Sequence, residues 1–314
     1  MSMTFDPEIE AVLLAAAAGG TPPAPERGDA LGLRAQTDVL LRVINEAEPD
    51  SADVTTADFA VPVGDGASIL ARWYTKEGSR PGSAVVYVHG GGMICGSVPL
   101  YDRLVARYVQ ATGVPFLSVD YRLSPEYPGT TLVDDSYQAL TWLHERAGEF
   151  GVGTDRVAVM GDSGGGGVAA GLAIAARDGG TPVAKQILIY PMLDDRNIEP
   201  DPEIAPFAVW TYDSNFTGWN ALLGDRRGTD GVSPLAAPAR LADFHGLAPA
   251  FIDVGELDIF RDESIAYAVE LMRAGVSTEL HVRPGAPHGF DRLARDSAVA
   301  RRAWKDVVRV IESV

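Results

Sequence analysis

The sequence predicts an α/β protein: a mostly parallel eight-stranded sheet flanked by helices, with a small helical cap. Three observations predict it. From residue 84 onward, short and nearly all-apolar runs alternate with segments of helical periodicity. Strands apolar on both sides belong to parallel sheets covered on both faces. Ahead of them, two extended stretches flank Gly64-Asp65-Gly66, a hairpin signature. Finally, residues 194–247 interrupt the alternation with an insertion rich in Pro, Asp and Trp.

The elements follow in order. Residues 11–18, apolar and alanine-rich, read as an amphipathic helix, and the Pro/Gly/charge-rich stretch 21–29 ends it. A second helix spans 31–47, with Leu33, Val39, Leu40, Val43 and Ile44 apolar. The hairpin strands lie near 56–63 and 68–75. Six further strands are expected at 84–88, 114–119, 157–160, 186–190, 249–254 and 278–283. Helices fall at 100–111, 132–147, 165–177, 262–274 and 297–313. The insertion at 194–247, with the N-terminal helices, is expected to form a cap over the sheet's carboxyl edge.

Composition narrows the function classes. Of 314 residues, 46% are hydrophobic and 22% charged, enough apolar material for a substantial core. The formal charge of −17 repels nucleic acid and anionic lipid. The single cysteine, Cys95, excludes an internal disulfide and suits a reducing compartment. The N-terminal apolar run follows Asp6, Glu8 and Glu10, whereas a secretory signal needs a basic start, and the run is too short to span a bilayer. A cytoplasmic chain without stable membrane insertion is expected.

The chemistry sits at strand ends. Gly161-Asp162-Ser163-Gly164-Gly165 follows the strand 157–160 and opens a helix, the strand–turn–helix context of a nucleophile elbow. A sharp turn there strains the serine backbone, and side chains on the flanking glycines would collide with the neighbouring strand and helix. The helix N-terminus favours negative charge developing above it. A phosphate loop would need a lysine that is missing. His89-Gly90-Gly91-Gly92 ends the first strand after the hairpin, where acyl transfer needs backbone N–H groups aimed at an oxyanion. Gly91, Gly92 and Gly164 are the expected donors.

A serine nucleophile needs a base. His89 lies in the glycine loop and is expected to brace it; His144 is mid-helix, His245 in the insertion and His281 within a strand. His288 sits after the last strand in Pro284-Gly285-Ala286-Pro287-His288-Gly289-Phe290, a loop able to carry its ring to Ser163. The orienting acid falls between serine and histidine in chain order. Asp258 is preferred, just beyond the strand 249–254, with Glu256 the alternative. Asp262 reads as the N-cap of the next helix, and Asp253 as directed into the sheet packing or a neighbouring loop. Asp194, Asp195 and Asp201 lack the His or Cys spacing of a metal site and read as a solvated loop. Trp210, Tyr212, Phe216 and Trp219 either line an acyl pocket or pack the cap.

These motifs, with Tyr121-Arg122-Leu123-Ser124-Pro125-Glu126, Gly255-Glu256-Leu257-Asp258, Arg261-Asp262-Glu263 and His288-Gly289-Phe290, resemble the hormone-sensitive-lipase-like family of α/β-hydrolases on its bacterial esterase side. They occur in family order from 84 to 290. The resemblance implies an α/β-hydrolase fold and a carboxylesterase with Ser163, Asp258 and His288 as catalytic triad. It implies an oxyanion hole of Gly91, Gly92 and Gly164, and a helical cap of residues 1–50 and 194–220 over a catalytic domain of 51–193 and 221–314. It also implies short- to medium-chain acyl ester substrates and no cofactor or metal; homodimers are frequent in the family. Two departures stand out. Gly164 replaces a more usual alanine, which implies a looser elbow, and Ile259 replaces a frequent proline. A lactonase, amidase or peptidase would use the same residues, and a hydrolase-fold binding protein is the reading from a different class.

Overall fold

A computed structural model describes residues 3–20, 23–79 and 82–314. In chain order the elements are α1 (Pro7–Ala18), α2 (Ala30–Ala47), β1 (Val54–Pro62), β2 (Ser68–Lys76), β3 (Ala84–Val88), α3 (Val98–Thr112), β4 (Phe116–Val119) and α4 (Thr131–Glu145). There follow α5 (Ala147–Phe150), β5 (Val157–Asp162), α6 (Gly164–Gly179), β6 (Lys185–Ile189), α7 (Tyr212–Leu223), β7 (Ala250–Gly255), α8 (Arg261–Arg273), β8 (Thr278–Arg283), α9 (Phe290–Leu293) and α10 (Ala298–Glu312).

The strands form one eight-stranded sheet in the order β1-β2-β4-β3-β5-β6-β7-β8. β1 and β2 pair antiparallel, from Val54 opposite Lys76 to Pro62 opposite Ser68, and β2 meets β4 antiparallel. Every other pairing is parallel. The period of two within each strand sorts side chains between two cores. Val86, Val88, Val157 and Val159 face α4, α6 and α8. Val85, Tyr87, Ala158 and Met160 face α3 and α10. β3 and β5 are buried along their whole length, which is why their sequence is apolar without alternation. The carboxyl ends of β3, β5, β6 and β7 lie side by side, so the segments leaving them converge on one edge of the sheet.

The connections carry ordinary local signals. Asp6 accepts from Glu8 N at 2.9 Å and starts α1 with Pro7 in its first turn. Asp29 accepts from Gly32 N at 2.9 Å at the head of α2. Ser297 caps α10 through Ala300 N.

Three local expectations need correction. α1 forms, but its packing face is narrow: Ile9 is its one buried residue and Leu13, one turn on, packs partly against the same core, while Val12 and Leu14 are 40% and 65% exposed. Alanine propensity and the Asp6 cap favour the helix, and Ile9 with Leu13 docks it on the core. α8 begins at Arg261 after Phe260, so Asp262 lies inside the first turn and pairs with Arg261 instead of capping. α7 runs on to Leu223, so the boundary expected at 220 falls within a helix. Among the described residues, no helix is long and apolar enough to cross a membrane.

Candidate active site

β5 runs straight into α6 through Ser163, whose backbone takes φ 55° and ψ −123°. That conformation is costly for a residue with a side chain, and the surroundings enforce it. Ser163 N donates to Ile189 O at 2.9 Å, and Ser163 O accepts from Gly167 N at 3.1 Å and Met192 N at 3.0 Å. The turn leaves no room beside it. A methyl group on Gly165 would fall 2.2 Å from Val88 O, and one on Gly161 2.2 Å from Gly165 O. The serine side chain therefore stands at the sheet edge above the N-terminus of a 16-residue helix.

The loop after β8 delivers His288 to this point. Its Nε2 lies 2.9 Å from Ser163 Oγ, and its Nδ1 lies 2.7 Å from Asp258 Oδ2. Asp258 is fully buried, and its second oxygen accepts from Phe260 N at 3.0 Å. With Nδ1–H donated to the carboxylate, Nε2 is left as the acceptor facing the serine hydroxyl. Glu256 is used elsewhere: its Oε2 accepts from Gly285 N at 2.9 Å, bracing the histidine loop away from the ring. Asp253 is buried in the sheet, paired with Arg283 at 2.5 Å. Ile259 is buried at the position where proline is frequent, and its carbonyl accepts from Asn197 Nδ2 at 2.7 Å.

The glycine loop is oriented by what holds its carbonyls. His89 Nδ1–H donates to Gly90 O at 2.9 Å. Gly91 O accepts from Ile94 N at 3.1 Å, Cys95 N at 3.0 Å and the Cys95 thiol at 2.9 Å. In a trans peptide the carbonyl and the following N–H point in opposite directions. Fixing Gly90 O and Gly91 O on one side thus turns the N–H groups of Gly91 and Gly92 to the other. His89 is fully buried, stacked on Tyr121 at 4.4 Å, and burial pushes its pKa below the usual histidine value. The ring is neutral and structural.

The other histidines stay outside the cluster. His245 is exposed and bonded to Asp243, and His281 is bonded to Glu279. His144 lies within α4 with its Nε2 buried. The three acids of the insertion are separately engaged: Asp194 with Arg196, Asp195 with Arg240 and Gly228 N, and Asp201 with Glu203 N. Of the four insertion aromatics, Trp219 and Tyr212 pack into the core. Phe216 lies between Arg27 and Arg227, with guanidinium carbons 4.0 and 4.5 Å from its ring centre. Trp210 covers the glycine loop, and a methyl group on Gly92 would meet its ring at 2.5 Å.

Two contributors had no separate signal in the sequence. Asp162, inside the elbow, accepts from Gly90 N at 3.1 Å, Tyr87 OH at 2.5 Å and Tyr101 OH at 3.2 Å, tying elbow to glycine loop. Arg34 of α2 donates to Ile94 O at 2.5 Å, Ser124 O at 2.7 Å and both oxygens of Glu126, tying the N-terminal region to the same loop. The elbow glycines mark Asp162 only by position, and nothing local distinguishes Arg34 from other helical arginines.

The arrangement can move a proton from a hydroxyl to an imidazole braced by a carboxylate, beside backbone donors suited to an oxyanion. Comparison with known proteins agrees with that chemistry. A family described by the alpha/beta hydrolase fold matches residues 85–292. The chain is 33% identical over 310 residues to carboxylic ester hydrolase LipN of Mycobacterium tuberculosis, covering 92% of this chain and 78% of that protein. It is 32% identical over 280 residues to the ethyl acetate hydrolase of Pseudomonas putida, covering 85% and 83% of the two chains. Among solved structures, bacterial heroin esterase matches with a TM-score of 0.90 at 34% identity, over 99% of this chain and 98% of that one.

Proposed function

We propose a mechanism for this chain, which belongs to the alpha/beta hydrolase family on its hormone-sensitive-lipase-like side and is a carboxylic ester hydrolase. Ser163 is the nucleophile, His288 the general base and acid, and Asp258 the orienting acid. The observation that carries this reading is the unbroken hydrogen-bonded line from Asp258 through His288 to Ser163.

Ser163 Oγ attacks the ester carbonyl carbon while its proton passes to His288 Nε2. The carbonyl oxygen becomes an oxyanion, held by the N–H groups of Gly91, Gly92 and Gly164. Buried Asp258 stabilises the imidazolium without taking its proton. The C–O bond to the alcohol then breaks, and His288 returns the proton to the leaving oxygen. A water, deprotonated by His288, attacks the acyl-enzyme, and collapse of the second tetrahedral intermediate releases the carboxylic acid and restores Ser163.

The substrates are short- to medium-chain acyl esters. That reading draws support from the short acetyl esters in the names of similar proteins, ethyl acetate and heroin. It also draws support from the Trp210 ring over Gly92, which narrows the space above the glycine loop. Helices α1, α2 and α7 with residues 194–220 act as the cap, and Arg34 links that cap to the glycine loop.

The test is acylation of the serine. With a p-nitrophenyl ester, wild-type protein should release a burst of nitrophenol and accept a fluorophosphonate on Ser163; Ser163→Ala should do neither. An unlabelled Ser163 in the wild type, or full activity in Ser163→Ala, would overturn the assignment.

A further inference from the structure

Among the described residues, three that are not glycine hold a positive φ: Met93 at 66°, Ser163 at 55° and Tyr190 at 36°. Met93 adjoins the glycine loop and Ser163 is the proposed nucleophile. Tyr190 has no part in the reaction as written, yet a bulky side chain at positive φ is a genuine outlier, and such strain persists where its surroundings over-determine it.

Those surroundings lead to His288. Tyr190 follows β6, and its N–H donates to Asp253 O at 2.6 Å, which sets its backbone. Its buried ring meets the His288 imidazole edge-on, with centroids 4.7 Å apart and planes at 66°. Its hydroxyl donates to Asp291 Oδ1 at 2.8 Å. Asp291 lies three residues beyond His288 on α9. One side chain thus touches the imidazole with its ring and secures the far side of the histidine loop with its hydroxyl. Burial pushes the phenol pKa well above its ordinary value, so Tyr190 stays a neutral donor through the working pH range. A second aromatic, Phe260, meets the imidazole at 5.1 Å and 85°. It sits on the acid's turn, so the two rings bracket His288 from the β6 and β7 ends of the sheet.

We propose that Tyr190 is a positioning residue for the ester hydrolysis, holding the His288 ring at Ser163 through its ring contact and its hydrogen bond to Asp291. The proposal rests on His288 being the base. The strained backbone is what directs the ring and the hydroxyl at the same loop, since an ordinary strand exit would turn the side chain elsewhere.

The test compares Tyr190→Phe, Tyr190→Leu, Asp291→Ala and the double variant Tyr190→Phe/Asp291→Ala. Each is assayed by p-nitrophenyl ester kinetics, thermal melting and fluorophosphonate labelling. Removing the hydroxyl should lower kcat on the order of tenfold with KM unchanged, the effect of losing one orienting hydrogen bond. Asp291→Ala, which leaves the hydroxyl without this acceptor, should lose a similar amount. The double variant should lose no more than either alone, because both substitutions break the same bond. Tyr190→Leu should lose more, and Tyr190→Phe should recover the part carried by the ring. Wild-type kcat in a folded Tyr190→Phe, a loss confined to KM, or losses that multiply in the double variant would each overturn the proposal. Should Tyr190→Leu fail to fold, Tyr190→Phe and Asp291→Ala decide it. Failure of the underlying mechanism would show differently, as wild-type protein not labelled on Ser163.

Discussion

Gly164 and Gly92 stand so close that a methyl group on Gly164 would fall 2.8 Å from the Gly92 nitrogen and 2.7 Å from the Met93 nitrogen. The looser elbow implied by glycine in place of alanine is not what the backbone adopts. The glycine loop occupies the space a methyl would fill. Gly164→Ala should therefore push the loop outward and misplace a proposed oxyanion donor. A loss of about 10- to 100-fold in kcat is expected with the melting temperature nearly unchanged, since one donor is worth on the order of 10²–10³. Steady-state kinetics on a p-nitrophenyl ester checks this, and an unaltered kcat would refute it.

The choice of acid separates by substitution. Asp258→Asn should cost on the order of 10⁴ in kcat, because an amide next to Nδ1 favours the wrong tautomer. Glu256→Gln keeps an oxygen able to accept from Gly285 N, so its kcat should fall by less than about threefold, one neutral bond replacing a charge-assisted one. The reverse pattern would exchange their roles.

Arg34 makes its three attachments from outside the sheet. Arg34→Ala should free Ile94 O and Ser124 O and loosen the glycine loop, lowering kcat on the order of tenfold. If only KM rose, α2 would be acting on substrate entry alone.

Cys95 is buried, and burial pushes its thiol up to about 12. The thiolate needed for attack is then scarce at neutral pH. A thiol-specific disulfide reagent at pH 8 should leave the native protein untouched and modify its cysteine fully after denaturation. Rapid native labelling would contradict the burial.

Asp291 carries a pH dependence. Burial raises its carboxyl to about 6, against about 3.9 for an unfolded aspartate. The folded state therefore holds this proton more tightly. The stabilisation is complete below about pH 3.9 and is lost as pH rises through about 6. Replacing Asp291 with Asn removes that loss. The stability of Asp291→Asn relative to wild type should improve by up to about 3 kcal/mol between pH 4 and pH 8, two pKa units at 1.36 kcal/mol each. Urea titrations across that range measure it, and a flat difference would refute it.

Much of this site was legible in the sequence because its parts are local. Strand, turn and helix around Ser163 are adjacent in the chain, and the loop of His288 contains residues that neither helix nor strand accommodates. The sheet was readable for a similar reason, since strands buried on both faces advertise themselves as apolar runs. What stayed hidden depends on distant partners. Asp258 and Glu256 are two residues apart on one turn, and only the direction of each side chain separates the imidazole from Gly285 N. The Arg34 links join residues about 60 to 90 positions apart in sequence, and no local pattern encodes them. The strain at Tyr190 was equally silent, because tyrosine after an apolar strand reads as ordinary core.

Asp6, at the head of α1, donates its backbone N–H to Gly285 O in the loop that carries His288. Two segments far apart in the chain thus meet on the loop of the base. By the proposed mechanism, a nascent polypeptide that has not yet reached His288 holds a nucleophile without a base. Chains that stop short of His288 would therefore leave esters intact, however well their elbow had formed.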